Sequence, residues 1–138
     1  MTAEGGRSKK FNVPKAQAEE KIRKMARYEH LPIYKASLEM TIYFEKIVKN
    51  FSRYNKYTLG SDLRNKSREI LCQIMKANSL TNKKEALKEI VAMVEELKLL
   101  IRLCKETKVF YNFNSYYHSS KLITNIGKQA QAWLNHTH

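Results

Sequence analysis

The rarity of glycine and proline constrains the fold of this chain more than any other feature. Its 138 residues include 4 Gly and 2 Pro, and both prolines, Pro14 and Pro32, lie before residue 33. A β-protein of this size would need a turn about every eight to twelve residues. Those turn signals are missing, so the sequence predicts long helices.

Four stretches of the chain repeat apolar residues at intervals of three and four, the spacing of an amphipathic helix. They predict helices from about residue 33 to 53, 62 to 77, 82 to 105 and 115 to 134. Ser61 and Thr81 stand where the N-caps of the second and third helices are expected. Because short connections force neighbouring helices to be antiparallel, the expected fold class is all-α. We predict an antiparallel up-down-up-down four-helix bundle over residues 31–138.

The third predicted helix is apolar on two edges. One edge is a seam that runs from Leu87 to Cys104, and the second edge consists of Met93, Leu100 and Leu103. A helix with two apolar edges commonly serves both the intramolecular core and a subunit contact.

Residues 1–30 are predicted to form a flexible basic arm that is partly helical. Arg7, Lys9 and Lys10 supply its positive charge. The run from Pro14 to Tyr28 is a good helix former, and proline is permitted in the first turn of a helix.

The charge balance points to an anionic partner. There are 26 Lys and Arg against 13 Asp and Glu, a formal net charge of +13. Such an excess favours nucleic acid, RNA or DNA, because phosphate neutralisation releases counterions. An acidic protein surface, an anionic lipid and plain solubility are the alternatives.

Other classes of protein are disfavoured. No apolar run approaches the roughly eighteen residues that span a bilayer, and the N-terminus lacks the apolar core of a signal peptide, so we expect a cytoplasmic protein without a membrane partner. Cys72 and Cys104 are expected to be small buried hydrophobic residues. There is no glycine-rich phosphate loop, and the four histidines lack the spacing of metal ligands. We therefore expect no enzymatic activity, no cofactor and no metal.

Basic residues cluster at helical spacing in three places. The clusters give the candidate nucleic-acid-binding residues Arg64, Lys66, Arg68, Lys98, Arg102, Lys105, Lys121 and Lys128. No acidic residue follows Glu106, which leaves Lys108, Lys121 and Lys128 uncompensated. The alternative is that these are solvated positions with weak surface pairs, and Arg64 could equally be a buried structural ion.

Aromatic residues crowd two predicted loops, around Tyr54 and Tyr57 and between residues 110 and 117. Aromatic rings beside Lys and Asn can stack on unpaired bases. They can also plug the end of the core, or line a subunit interface, where Tyr is enriched.

Three stretches carry a family resemblance: Leu31-Pro-Ile-Tyr-Lys35, the segment from Phe51 to Arg64, and Ile70-Leu-Cys-Gln-Ile-Met-Lys-Ala-Asn78. They resemble the four-helix-bundle superfamily that includes the ribosomal-RNA intervening-sequence proteins and the accessory variability determinant (Avd) proteins of diversity-generating retroelements. Intervening-sequence members carry an Asn-Ile-Ala-Glu-Gly-type motif where this chain has Met75-Lys-Ala-Asn-Ser, and they are less basic. These departures favour the Avd branch.

The resemblance implies a homo-oligomer, a pentamer, that binds the retroelement's reverse transcriptase and its template RNA. Its implied role is to support mutagenic complementary-DNA synthesis and retrohoming without doing chemistry itself. The alternative function is a structural or interaction bundle of the intervening-sequence type with no dedicated nucleic-acid role.

Overall fold

The computed structural model describes residues 14–25 and 27–137, and these contain helices and no β-strand. The elements are α1 (Lys15–Met25), a 3-10 turn (Arg27–His30), α2 (Pro32–Val48), the short α3 (Arg53–Tyr57), α4 (Leu59–Ser79), α5 (Lys84–Glu106) and α6 (Phe113–Asn135). The four long helices α2, α4, α5 and α6 form the predicted bundle.

Neighbouring long helices run in opposite directions. Thr41 on α2 donates a hydrogen bond to the Ser67 carbonyl of α4 (3.4 Å), whereas Val48, two turns later on α2, contacts Gly60 near the start of α4. Helices α4 and α5 are also antiparallel, because Lys66 contacts Glu96 whereas the later Gln73 contacts the earlier Glu89. Helices α5 and α6 are antiparallel for the same reason, as the contacts Val94–Gly127 and Lys105–Tyr116 show. Because α2 also packs against α6, α2 and α5 lie on a diagonal of the bundle. The predicted all-α bundle is confirmed.

The core lies along the bundle axis and takes side chains from all four long helices. Its largest fully buried members include Phe44, Met40, Leu63, Ile70, Leu87, Leu97, Ile123 and Ile126. Where α2 meets α4, the buried residues are instead small and hydroxylated: Ser37, Thr41 and Ser67. Thr41 satisfies its hydroxyl by donating to the Ser37 carbonyl (2.8 Å), so the two helices approach closely without an unsatisfied threonine.

The connection between α2 and α4 differs from the prediction. We expected one helix to residue 53, a turn from Tyr54 to Gly60, and Ser61 as the next N-cap. Instead α2 ends at Val48, and Ser52 caps the short α3 by accepting a hydrogen bond from the Asn55 N–H (3.3 Å). The Ser52 cap starts a separate turn of helix inside the segment that we predicted to be a loop.

The start of α4 is set by a close approach rather than by a cap. A Cβ on Gly60 would lie 2.8 Å from Val48 Cγ1 and 2.9 Å from the Asn55 carbonyl oxygen, so only glycine fits there. This contact lets α4 begin at Leu59, two residues before Ser61. The Ser61 hydroxyl donates to the Lys56 carbonyl (3.3 Å), and the prediction that Ser61 is an N-cap is wrong.

The cap prediction for α5 is also wrong. The helix begins at Lys84, and the Lys84 N–H donates to the Asn82 side chain (3.4 Å) rather than Thr81 supplying a cap. By contrast, α6 begins within two residues of its predicted start, and Asn112 caps it by accepting from the Ser115 N–H (2.9 Å).

The segment before the bundle follows the sequence pattern where the structure describes it. The helix predicted from Pro14 is α1, and Leu31 is extended (φ −72°, ψ 129°) because Pro32 follows it and opens α2. Residues 1–13, which carry the basic part of the predicted arm, lie outside the described residues. Among the described helices, none is long and apolar enough to cross a membrane.

Candidate nucleic-acid interface

Two of the three candidate cations on α4 face a carboxylate of α2. Arg68 donates from Nε to Glu45 Oε2 (2.8 Å), and its Nη2 contacts the same oxygen. Arg64 Nη1 lies 3.9 Å from Glu45 Oε1. The Arg64 Nε is buried and has no hydrogen-bond partner in the described part of the chain. Glu45 therefore bridges a pair of arginines between α2 and α4 and offsets one of their two charges, which favours the structural role for Arg64.

The third α4 cation, Lys66, faces the opposite neighbour. Its ammonium lies 3.1 Å from Glu69 on its own helix and 3.2 Å from Glu96 on α5. The hydrogen bond to Glu69 is the largest cause of a raised Lys66 pKa, and burial opposes it. The structure thus separates Lys66 from Arg64 and Arg68 and gives each of the three a carboxylate.

The α5 cations are partly compensated by acids on their own helix. Lys98 pairs with Glu95 (3.0 Å), and Arg102 donates to Glu106 (2.8 Å). Lys105 lies 3.7 Å from the same Glu106 carboxylate. The hydrogen bond with Glu106 raises the Arg102 pKa, and the same bond is the largest cause of a lowered Glu106 pKa. All of these side chains are well exposed, so the pairs are weak in water.

The α6 cations have no acidic neighbour on their own helix, because no Asp or Glu occurs between Phe113 and Asn135. The Lys121 ammonium lies 5.4 Å from the centre of the Tyr117 ring, a cation–π contact. Lys121 and Lys128 line one shallow groove of about 320 Å³ with Tyr117, Ser120 and Thr124. Among the described residues, neither lysine has a carboxylate oxygen within 4.0 Å.

The α5 and α6 cations share one surface. A second groove of about 230 Å³ between the helices is lined by Lys98, Arg102, Tyr116, Ser120, Thr124 and two core isoleucines. Ser120 and Thr124 line both grooves, so the two are continuous. We call the surface formed by Lys98, Arg102, Lys105, Lys121 and Lys128 the α5–α6 basic face. It unites five of the eight predicted residues and excludes the three on α4.

The loop aromatics divide into two groups. Phe110 packs edge-on against Phe51 at the end of the core (6.1 Å between ring centres), and Tyr116 is half-buried beside it. These two fulfil the expectation that loop aromatics plug the bundle. Five others are exposed: Tyr54, Tyr57, Tyr111, Phe113 and Tyr117.

Two apolar stripes remain uncovered on the diagonal helices. On α5, Leu99 is 70% exposed and Leu103 is 45% exposed, whereas Met93 and Leu100 of the predicted second edge pack against the core. On α2, Leu38 and Ile42 are exposed beside Tyr43 and His118, at a groove of about 380 Å³. Leu99 was missed as an edge residue, although its spacing of four from Leu103 was the signal that could have revealed it.

The two cysteines occupy different environments. Cys104 is buried as expected, and burial raises the pKa of its thiol to about 12. Cys72 is exposed on α4, so the expectation that it is buried is wrong. It lies two positions from both Ile70 and Ile74, which puts it on the side of α4 away from the buried stripe. Within the described residues, no three His, Cys, Asp or Glu side chains come together as a metal site.

A family model described as bAvd-like matches residues 18–137. The chain belongs to the bAvd-like family. The match confirms the resemblance to Avd proteins, and it indicates an accessory variability determinant of a diversity-generating retroelement. It begins at residue 18, so the family pattern includes part of the segment before Leu31 that we had placed outside the core pattern. No curated protein matches the chain.

Proposed function

We propose that this bAvd-like protein is a non-catalytic, cytoplasmic accessory factor that binds the template RNA and the reverse transcriptase of its retroelement. In this role it supports mutagenic complementary-DNA synthesis and retrohoming. The observation that carries the proposal is the α5–α6 basic face. Four of its cations line two continuous grooves, Lys105 lies over the Tyr116 ring of one groove, and the two cations on α6 share their helix with no carboxylate. The family membership names the system in which that surface would act.

The RNA part of the proposal follows from the charge arrangement. Phosphates can displace the exposed Glu95 and Glu106 partners of Lys98 and Arg102, because such surface pairs contribute little free energy. Lys121 and Lys128 require no such exchange. Five phosphate contacts to a single strand predict a plot of log affinity against log salt with a slope of about −3.5.

The ring assembly is proposed from the two uncovered apolar stripes. They lie on α2 and α5, which are diagonal helices, so they point to opposite sides of the bundle. Two different patches that meet head to tail generate a closed ring when the rotation closes, as in a pentamer. This leaves the α5–α6 basic face free for RNA.

RNA titrations at increasing salt test the RNA part. The wild-type protein should bind the template RNA with the slope given above, and Lys98→Glu/Arg102→Glu/Lys105→Glu should weaken binding while helicity stays unchanged. Binding that does not respond to salt, or none at all, would overturn it. Co-purification with the reverse transcriptase from cells that lack the template RNA tests the protein contact separately, and light scattering tests the ring.

The second candidate is a structural or interaction bundle without a nucleic-acid role, of the intervening-sequence type. The pairing of Arg64, Lys66 and Arg68 with Glu45, Glu69 and Glu96 favours it, because these cations serve helix contacts rather than a ligand. An oligomer that binds the reverse transcriptase but no RNA would support this candidate against the first.

A further inference from the structure

We propose that the corner between α5 and α6 binds unpaired nucleic acid by stacking, so that the protein prefers single-stranded segments of its RNA to duplex. The corner consists of Lys108, Tyr111, Phe113, Tyr117 and Lys121. This inference rests on the proposed RNA-binding function and adds to it the class of RNA and the residues that select it.

The first support is a pair of exposed rings one helical turn apart. Phe113 and Tyr117 are 65% and 54% exposed, and their rings are nearly parallel, at 16°, with centres 6.3 Å apart. Tyr111, in the preceding loop, is 83% exposed. The end of the core is already closed by Phe110 and Tyr116. Phe113 also contacts Tyr116, with 5.7 Å between ring centres, but more than half of each of the three rings stays exposed to solvent.

The second support is the placing of cations beside these rings. Lys121 lies over Tyr117, and Lys128 continues the same stripe of α6 two turns later. Rings that alternate with cations suit a single strand, whose bases stack on the rings while its phosphates meet the lysines. A duplex keeps its base faces covered and can use only the lysines.

The third support is Lys108, which ends α5 in a left-handed conformation (φ 60°). The Val109 N–H donates to the Cys104 carbonyl (2.8 Å) and the Lys108 N–H to the Lys105 carbonyl (3.1 Å), which is a Schellman motif. Glycine is the usual residue at this position, because a Cβ there is strained. Backbone strain at an exposed lysine is a local cost of the kind that persists at functional sites, and it makes Lys108 a residue to test.

A protein partner is the competing occupant of these rings. The core of a protein interface is depleted in lysine, whereas here Lys121 lies over the Tyr117 ring and Lys105 lies over the neighbouring Tyr116 ring. The bundle also carries separate apolar stripes without lysine at their centre, at Leu99–Leu103 and Leu38–Ile42. The rings of the corner therefore fit nucleic acid better than a subunit contact.

Fluorescence anisotropy with the full chain tests the proposal, using an unstructured single-stranded RNA and a duplex of the same length. Phe113→Leu/Tyr117→Leu keeps apolar bulk but removes the aromatic faces. It should weaken single-strand binding about tenfold or more and change duplex binding less than twofold. Tyr54→Leu/Tyr57→Leu, which removes two exposed rings outside the corner, is the matched control and should leave both affinities unchanged.

Several results would overturn the proposal. An equal loss for both RNAs, no loss for either, or a loss of similar size in the Tyr54/Tyr57 control would each do so. A changed oligomeric state of the Phe113/Tyr117 variant with unchanged RNA affinity would assign the rings to a protein interface. If the wild-type protein binds no RNA, the proposed function fails as well. Wild-type binding that is insensitive to the ring substitutions rejects only the stacking site.

Lys108→Gly provides a second test that does not depend on the rings. Relief of the left-handed strain should raise the melting temperature by about 2 to 4 °C. Loss of the charge should weaken single-strand binding by about fivefold. A more stable variant with wild-type affinity would contradict the role of Lys108.

Discussion

The cations of α4 and α6 differ in what surrounds them. Arg64, Lys66 and Arg68 each face a carboxylate, and two of those carboxylates, Glu45 and Glu96, belong to neighbouring helices. Lys121 and Lys128 on α6 have no acidic residue on their helix and share open grooves with small hydroxyl side chains. The number of basic residues on a helix therefore does not locate a binding surface. The acids that the fold brings to them decide whether they hold helices together or remain available.

The largest expected effect tests the available cations of α6. Lys121→Glu/Lys128→Glu should weaken RNA binding about a hundredfold at low salt, because two phosphate contacts become repulsive. Filter binding across a salt series measures both the affinity and its slope. Lys35→Glu/Lys76→Glu is the control, because it changes the net charge equally at exposed positions outside the α5–α6 basic face. An equal loss of RNA affinity in the two variants would show that Lys121 and Lys128 bind RNA no more than other exposed lysines do.

The next effect tests the paired cations of α4. Glu45→Ala removes the carboxylate of two arginines, one of which has a buried Nε, and should lower the free energy of unfolding by about 1 kcal/mol. Urea denaturation measures this, with RNA affinity expected to stay within about twofold. Glu39→Ala, at an exposed site of the same helix, should be nearly neutral. A Glu45 variant as stable as wild type would remove the structural role from Arg64 and Arg68.

A smaller effect is expected at α5, which is intermediate between the two regions. Glu106→Gln should tighten RNA binding about threefold, because Arg102 and Lys105 then meet phosphate without a competing carboxylate. Glu85→Gln, at the other end of α5, serves as the control because Lys88 is the one cation that Glu85 pairs with among the described residues.

The same carboxyl gives a pH test. Pairing with Arg102 lowers the Glu106 pKa, so the pair is intact at neutral pH and is lost as pH falls through that lowered value. Wild-type RNA affinity should rise over that step, and the difference between wild type and Glu106→Gln should shrink there. A constant difference at all pH values would show that Glu106 does not compete with phosphate.

Chemical labelling of Cys72 is expected to have no effect on RNA binding. Cys72 is exposed on the α4 side, whereas the Cys104 thiol is buried and its pKa is raised to about 12. A maleimide at neutral pH should therefore label one of the two, and the labelled protein should bind RNA like wild type. Because the raised pKa favours the neutral thiol in the fold, Cys104 stabilises the native state below about pH 9 and loses that contribution as pH rises towards about 12. If labelling of Cys72 prevented RNA binding, the side of α4 that carries Cys72 would have to be part of the RNA-binding surface.

Much of the fold was predictable because it depends on local chemistry. The apolar repeats of α5 and α6 gave helices whose ends lie within about two residues of the predicted positions. The Leu31–Pro32 boundary followed from the steric effect of proline on its predecessor. The connection from α2 to α4 was mispredicted because Gly60 of α4 contacts Val48 of α2 and Phe51 of the connecting loop, and these contacts set where α4 begins.

The candidate site was predictable only in part. The absence of acids after Glu106 identified Lys121 and Lys128 correctly as uncompensated cations. A helix without Asp or Glu cannot form ion pairs between its own residues, and this follows from its composition alone. Arg64, Lys66 and Arg68 were placed in the same group because their spacing resembles that of the α5 cluster. Nothing local distinguishes these two arginines from the α5 cations, because the one acid that pairs with both, Glu45, lies on another helix.

The sequence by itself determined that this protein is an all-α bundle with a large excess of positive charge. Helical periodicity depends on residues that are close together in the chain, and net charge is the sum of the charges of all residues. The tertiary structure decided where that charge is available. Pairing between Glu45 and the α4 arginines, and between Glu96 and Lys66, depends on the register of antiparallel helices. That register is fixed by close contacts such as Thr41 with Ser67 and Val48 with Gly60, between residues far apart in the chain.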